Sequence, residues 1–137
     1  MLHRFFWLSS QVIDGLLYFW PVTLVLSVLL FVATVHYFFF KRRQLSKRHA
    51  LVLSPLALSL LVLIWGTIMA HQGTTRGPEW ASNVVGILFL LHIPLAVAVI
   101  YLMRGIRLFA TALVLFELWF GGVCTFIAAM SVSNVWL

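Results

Sequence analysis

The chain has 137 residues, of which 64% are hydrophobic and 9% are charged, and its net charge is +6. Soluble domains contain about 45–50% apolar and about 25% charged residues, so this composition excludes an ordinary water-soluble globular domain. The basic residues flank apolar segments instead of lining one polar face, which argues against nucleic-acid binding. A single cysteine, Cys124, excludes an internal disulfide and any CxxC motif.

The first apolar segment is Tyr18–Phe40, and an aromatic N-terminal stretch precedes it. Phe5–Trp7 is typical of an anchor at the outer membrane surface. Apolar residues at helical spacing predict a helix that begins near Gln11, which would be interfacial. Pro21 has two interpretations: it either begins the spanning helix or kinks a longer helix that starts outside the hydrocarbon.

Three further apolar segments follow: Ala50–Ala70, Asn83–Met103 and Leu108–Val132. A helix needs about 20 mostly apolar residues to cross about 30 Å of hydrocarbon, and each segment meets that length. The loop that contains Gly105 is too short to separate its two helices, so helices three and four should be antiparallel neighbours, as should helices one and two. We therefore predict an all-α integral membrane four-helix bundle, built as two antiparallel transmembrane hairpins in a single domain that covers residues 1–137.

The basic residues predict how this bundle is oriented. Seven of the nine fall in the first and third loops. The first-loop group, which should lie at the membrane surface, is Lys41, Arg42, Arg43, Lys47 and Arg48. Because cytoplasmic loops carry the excess of Lys and Arg, this side should be cytoplasmic and both termini should lie outside. We expect a multi-pass protein of a bacterial-type inner (cytoplasmic) membrane.

Two polar residues fall near the middle of predicted spans. Glu117 lies about ten residues into helix four and His92 about ten residues into helix three, from opposite sides, so both should reach a similar depth of about 15 Å. A carboxylate at that depth costs several kcal/mol unless it is neutral, paired, or facing protein or water. Glu117 and His92 are therefore predicted to form a polar pair, which either handles protons or fixes helix packing through a hydrogen bond.

Glycines supply candidate packing surfaces for these helices. Gly121 and Gly122 lie in helix four and Gly66 lies in helix two. Small residues let helix backbones approach closely in a membrane. Because Gly121 lies one turn from Glu117, the two share a helix face, and that face should look at protein.

The sequence leaves three functions open. It has no Gly-rich phosphate loop, HExxH or GxSxG motif, and no metal site, so we expect no catalysis by the chain alone. The leading interpretation is a non-catalytic accessory subunit of a larger energy-converting (respiratory or photosynthetic) membrane complex for electron transport, whose partners are the lipid bilayer and other transmembrane subunits. The alternatives are a small homo-oligomeric transporter or channel that uses Glu117 and His92, and a subunit in which His92 ligates haem or chlorophyll. No cofactor is firmly implied.

Overall fold

The structure, a computed structural model of the chain, describes residues 2–41, 47–70 and 78–134. Within these ranges it contains helices and no strand, as the sequence predicts. The five α-helices are α1 (Leu2–Tyr18), α2 (Trp20–His36), α3 (Ser54–Met69), α4 (Glu79–Leu102) and α5 (Arg107–Ser133). A π-helical turn, Tyr37–Lys41, extends α2, and a 3-10 segment, Lys47–Leu53, precedes α3.

Four stretches are long and apolar enough to cross a bilayer, which confirms the predicted number of spans by length and composition. They are Trp20–Phe39, Ala50–Met69, Glu79–Leu102 and Arg107–Ser133. The third begins earlier than the predicted Asn83, because Pro78 has an extended backbone and its carbonyl accepts the Ala81 N–H at 3.0 Å, so the helix is already closed at that point. Glu79 in the first turn also suits the positive end of the helix dipole.

The N-terminal helix differs from the prediction. It begins at Leu2, well before Gln11, and α1 packs against α3 and α5 along its length. Leu8 and Val12 are buried in a cluster with Leu63 and Ile127. The predicted start was wrong because Phe5–Trp7 was interpreted as an aromatic anchor at the membrane surface, which left Leu8 outside the helix.

The helix breaks between α1 and α2, at Phe19. Of the two interpretations of Pro21, the structure shows a new helix that begins at Trp20 and carries Pro21 in its first turn. Proline fixes its own φ and has no N–H, so it fits the first turn of a helix but interrupts the hydrogen bonds of the helix before it.

Helix α5 lies at the centre and contacts all four other α-helices. Small residues on α3 and α5 allow these two helices to approach closely. A Cβ on Gly66 of α3 would lie 2.8 Å from Ala128 Cβ of α5, and a Cβ on Gly121 of α5 would lie 2.9 Å from Ser59 Oγ of α3. The residue numbers rise together in the two contacts, from Ser59–Gly121 to Gly66–Ala128, so α3 and α5 run in the same direction. In contrast, Ala33 is the only residue of α2 that is buried.

Candidate functional site

The central polar contact of the bundle joins α4 to α3. His92 and Ser59 are both fully buried, and the distance between His92 Nε2 and Ser59 Oγ is 3.1 Å. The other ring nitrogen, Nδ1, lies 3.0 Å from the carbonyl oxygen of Leu88, one turn earlier in α4. Because a carbonyl oxygen only accepts, Nδ1 must carry a proton and donate it.

The Ser59 hydroxyl proton lies within reach of two acceptors, His92 Nε2 and the carbonyl oxygen of Pro55. Ser59 Oγ also lies 3.1 Å from the carbonyl oxygen of Pro55. With a neutral ring, the Ser59 hydroxyl donates its one hydrogen either to His92 Nε2 or to the carbonyl oxygen of Pro55. With a cationic ring, Nε2 donates to Ser59 Oγ, and the hydroxyl donates to Pro55. Both ring nitrogens are hydrogen-bonded when the Ser59 hydroxyl donates to Nε2 of the neutral ring, or when Nε2 of the cationic ring donates to Ser59, so either arrangement satisfies the buried histidine.

Gly121 closes this contact from α5. A Cβ at position 121 would lie 2.9 Å from Ser59 Oγ and 3.0 Å from His92 Nε2. The absence of a side chain therefore lets α5 cover the hydrogen bond directly, and the site excludes solvent because three helix backbones converge on it.

Glu117 is buried in the same bundle, but it does not pair with His92. Its side chain is 2% exposed, and neither carboxylate oxygen has a hydrogen-bond partner among the described residues. The predicted hydrogen-bonded pair is thus replaced by Ser59–His92, with Glu117 one turn away from Gly121 on α5. The two positions predict similar depths for both residues, but they carry no information on the rotation of the helices, which decides the hydrogen-bond partner.

The geometry of His92 bears on cofactor binding. A haem or chlorophyll needs a free imidazole nitrogen as its axial ligand. Both nitrogens of His92 have hydrogen-bond partners, and the ring has no exposed surface. The residues around His92 therefore do not fit a macrocycle. In the described part of the chain, no three His, Cys, Asp or Glu side chains come together as a metal site.

The other predicted site residues are the glycines and the basic residues of the first loop. Gly66 lies at the close approach of α3 to α5, whereas a Cβ on Gly122 would make only an ordinary contact with Phe89, at 3.9 Å. Arg42 and Arg43 lie outside the described residues, and of Lys41, Lys47 and Arg48 the structure describes the backbone only.

A second polar feature, which the sequence reasoning did not find, is a hydrogen-bonded brace at the α1–α2 break. Thr23 Oγ1 lies 2.9 Å from the carbonyl oxygen of Leu16 and accepts the Trp119 Nε1–H at 3.1 Å. The Phe19 ring meets the Trp119 ring edge to face, with centroids 5.7 Å apart. Pro21 was the only sequence signal for a break here, and nothing in the sequence pointed to Trp119 as the residue that supports it.

A groove of about 920 Å³ lies beside this break, between α1 and α5. Asp14 is the only charged side chain among the residues that line it. The lining residues are Gln11, Asp14, Gly15, Tyr18, Phe19, Val22, Trp119, Gly122, Val123, Phe126, Ile127 and Met130.

Comparison with protein-family models, with curated proteins and with solved structures finds no match to this chain.

Proposed function

We propose that this chain is a non-catalytic, multi-pass subunit of a larger membrane complex. Its four apolar helices would cross a bacterial-type inner membrane as two antiparallel hairpins, with the basic first loop in the cytoplasm and both termini outside. The burial of Ala81 and Val85 with Ala128 and Val132 supports the second hairpin, because the start of α4 then lies beside the end of α5. An energy-converting complex for electron transport remains the sequence-based expectation.

The exposure of α2 carries this proposal. The stretch Trp20–Phe39 is the least buried of the four apolar helices, and within the chain it packs mainly against α5. Phe31 is 69% exposed, and bulky apolar side chains cover the helix around it. Lipid could cover such a face. A helix held by so few contacts within its own chain also suits a role in which a neighbouring subunit completes the packing.

The interior supports a structural role. Ser59–His92 is covered by Gly121 and has no exposed surface, so the most polar contact of the bundle does not open to a substrate path. An intramembrane hydrogen bond of this kind contributes about 1 kcal/mol to helix association. Its effect is to fix the rotation of α3, α4 and α5 relative to one another.

Site-specific photo-crosslinking in native membranes tests the proposal. A photoreactive residue in place of Phe31 should give one adduct of defined mass with a different transmembrane polypeptide. The same residue in place of Val62, which is fully buried, is the matched control and should give no such adduct. Adducts from Phe31 with lipid alone, or with another copy of this chain alone, would contradict an accessory-subunit role.

Glu117 favours a second candidate, a small homo-oligomeric transporter or channel for protons or ions. Ionisable groups inside membrane helices often mark ion or proton pathways, and both oxygens of this buried carboxyl lack a hydrogen-bond partner in the described residues. A second copy or a conformational change would have to open the path to it. The third interpretation, a haem or chlorophyll on His92, gains no support from the occupied ring nitrogens.

Proteoliposomes that hold the full chain and a trapped pH dye test this candidate. Under an imposed potassium diffusion potential, a proton pathway through Glu117 predicts a flux that Glu117→Gln abolishes, because an amide cannot titrate. Glu117→Gln should leave the melting temperature almost unchanged, since the side chain keeps its shape and loses no hydrogen bond. A parent protein without flux, or a variant with equal flux, would exclude this role.

A further inference from the structure

The helix break at Phe19 interrupts the regular backbone hydrogen bonds at the end of α1. Pro21 has no N–H to donate to the carbonyl of Leu17, and the Val22 N–H donates to Phe19 O at 3.1 Å instead of to the preceding carbonyl. The Thr23 hydroxyl lies 2.9 Å from Leu16 O and 3.3 Å from Phe19 O, so a side chain replaces part of the backbone pairing that the break removes. The C-terminal end of a helix carries a partial negative charge, and a break in an apolar helix places that charge where a cation can use it.

Asp14 adds a full negative charge on the same side of α1. It lies one turn before Tyr18, is exposed, and lines the groove next to the break. No hydrogen bond or ion pair joins Asp14 to another described residue. Its place in the lining leaves the carboxylate available to a ligand of opposite charge that occupies the groove.

Aromatic rings form the walls of this groove. The planes of Phe19 and Trp119 meet at 89°, and those of Tyr18 and Phe19 meet at 83°. Phe126 is half exposed on the α5 side. Ring faces attract cations through their quadrupole, most strongly where water is excluded, and perpendicular rings can contact a bulky cation on more than one side.

The contacts also give the depth of the groove. Phe19 packs on Trp119, which lies near the middle of α5 and about 18 Å along it from Arg107. A Cβ on Gly15 would lie 3.0 Å from Val123, one turn further along. If α5 spans the bilayer as proposed above, α1 and α2 cross the apolar layer together, α1 beside the outer half of α5 and α2 beside its inner half, so the groove opens toward lipid.

We propose that the groove between α1 and α5 binds a lipophilic monovalent organic cation, of the quaternary ammonium or phosphonium class, which enters from the lipid. Asp14 and the carbonyl end of α1 supply the negative charge, and Phe19, Trp119 and Phe126 supply the ring faces. The volume of about 920 Å³ lies within the range of small-molecule sites. The proposal does not depend on the accessory-subunit role, because it concerns the chain's own groove.

Equilibrium dialysis of radiolabelled tetraphenylphosphonium against the purified full chain in mild detergent tests the proposal. The parent protein should bind one equivalent saturably, and the tetraphenylborate anion, which has the same size, should not compete. Asp14→Asn should weaken binding about tenfold or more, because it removes the only charged group of the groove. Asp14→Glu should retain binding, and Glu79→Gln, which removes an exposed carboxylate outside the groove, should have no effect.

Photolabelling with an azido-phenyl phosphonium gives a second readout that needs no variant. Labelled peptides should map to residues 11–22 and 119–130, and excess tetraphenylphosphonium should protect them. Labelling elsewhere, equal binding by Asp14→Asn, or competition by tetraphenylborate would overturn the proposal. It would equally fail if the parent bound no phosphonium.

Discussion

Replacing Gly66 with alanine should force α3 and α5 apart. The new Cβ would lie 2.8 Å from Ala128 Cβ and 3.0 Å from Ala128 Cα. Ordinary carbon contacts lie at about 3.5–4.0 Å, so the two helices must separate locally by about 1 Å. No rotamer change relieves this, because the closest atoms belong to a backbone and to the one carbon of an alanine side chain.

The expected loss of stability follows from two opposing terms. Overpacking a well-packed contact costs about 1–3 kcal/mol. Alanine recovers up to about 1 kcal/mol through its higher helix propensity. We therefore expect Gly66→Ala to lower the free energy of unfolding by about 0–2 kcal/mol relative to the parent, and by about 1–3 kcal/mol relative to a glycine-to-alanine change that meets no neighbour. Moving the helices apart at Gly66 should also loosen the contact two turns away, where Ser59 of α3 lies against Gly121 of α5.

Gly86→Ala is the matched control, because no atom of the described residues lies within 4 Å of a Cβ at that position and the residue is exposed. It should leave stability unchanged or slightly raised. Reversible unfolding in mixed micelles, followed by tryptophan fluorescence, measures both variants against the parent. Ala128→Gly combined with Gly66→Ala should recover part of the loss, since it removes the nearest atom. A difference of less than about 0.5 kcal/mol between the free energies of unfolding of Gly66→Ala and Gly86→Ala would contradict this packing.

Three other changes test separate parts of the structure. Thr23→Val should destabilise the chain by about 1 kcal/mol in the same unfolding assay, because it removes the hydroxyl that joins Trp119 to the α1–α2 break. Gly121→Leu should disrupt folding or assembly, measured by size-exclusion chromatography and melting temperature, since the side chain would displace the Ser59–His92 contact. Cysteines at Ser46 and Thr75 should react with a membrane-impermeant maleimide only from the cytoplasmic and the outer side, respectively.

Each of these predictions has a clear opposing result. An unchanged unfolding curve for Thr23→Val would show that the break needs no brace. Normal assembly and melting of Gly121→Leu would place that face toward lipid or a cavity. Labelling of Thr75→Cys only from the cytoplasmic side would overturn the proposed topology. The buried Cys124 gives no background labelling, so the parent serves as its own control.

The number of apolar stretches long enough to cross a membrane, and their helical structure, follow from the sequence alone. Backbone groups in an apolar environment must be satisfied within the segment, so long apolar runs have to be helical, and composition is enough to identify them. The sequence also identified His92, Glu117, Gly66 and Gly121 as residues that should face protein. All four are buried, because polar and small side chains on apolar helices are stabilised by helix contacts.

Only the tertiary structure decided which of these residues meet. Helices α3, α4 and α5 are apolar around much of their circumference, so no polar face fixes their rotation, and similar depth was the only guide to a partner for His92. The structure pairs it with Ser59 because Gly121 lets α5 approach there, and Glu117 is left without a hydrogen-bond partner among the described residues. The groove at Asp14 likewise depends on how α1 packs against α5, a long-range contact that local composition does not encode.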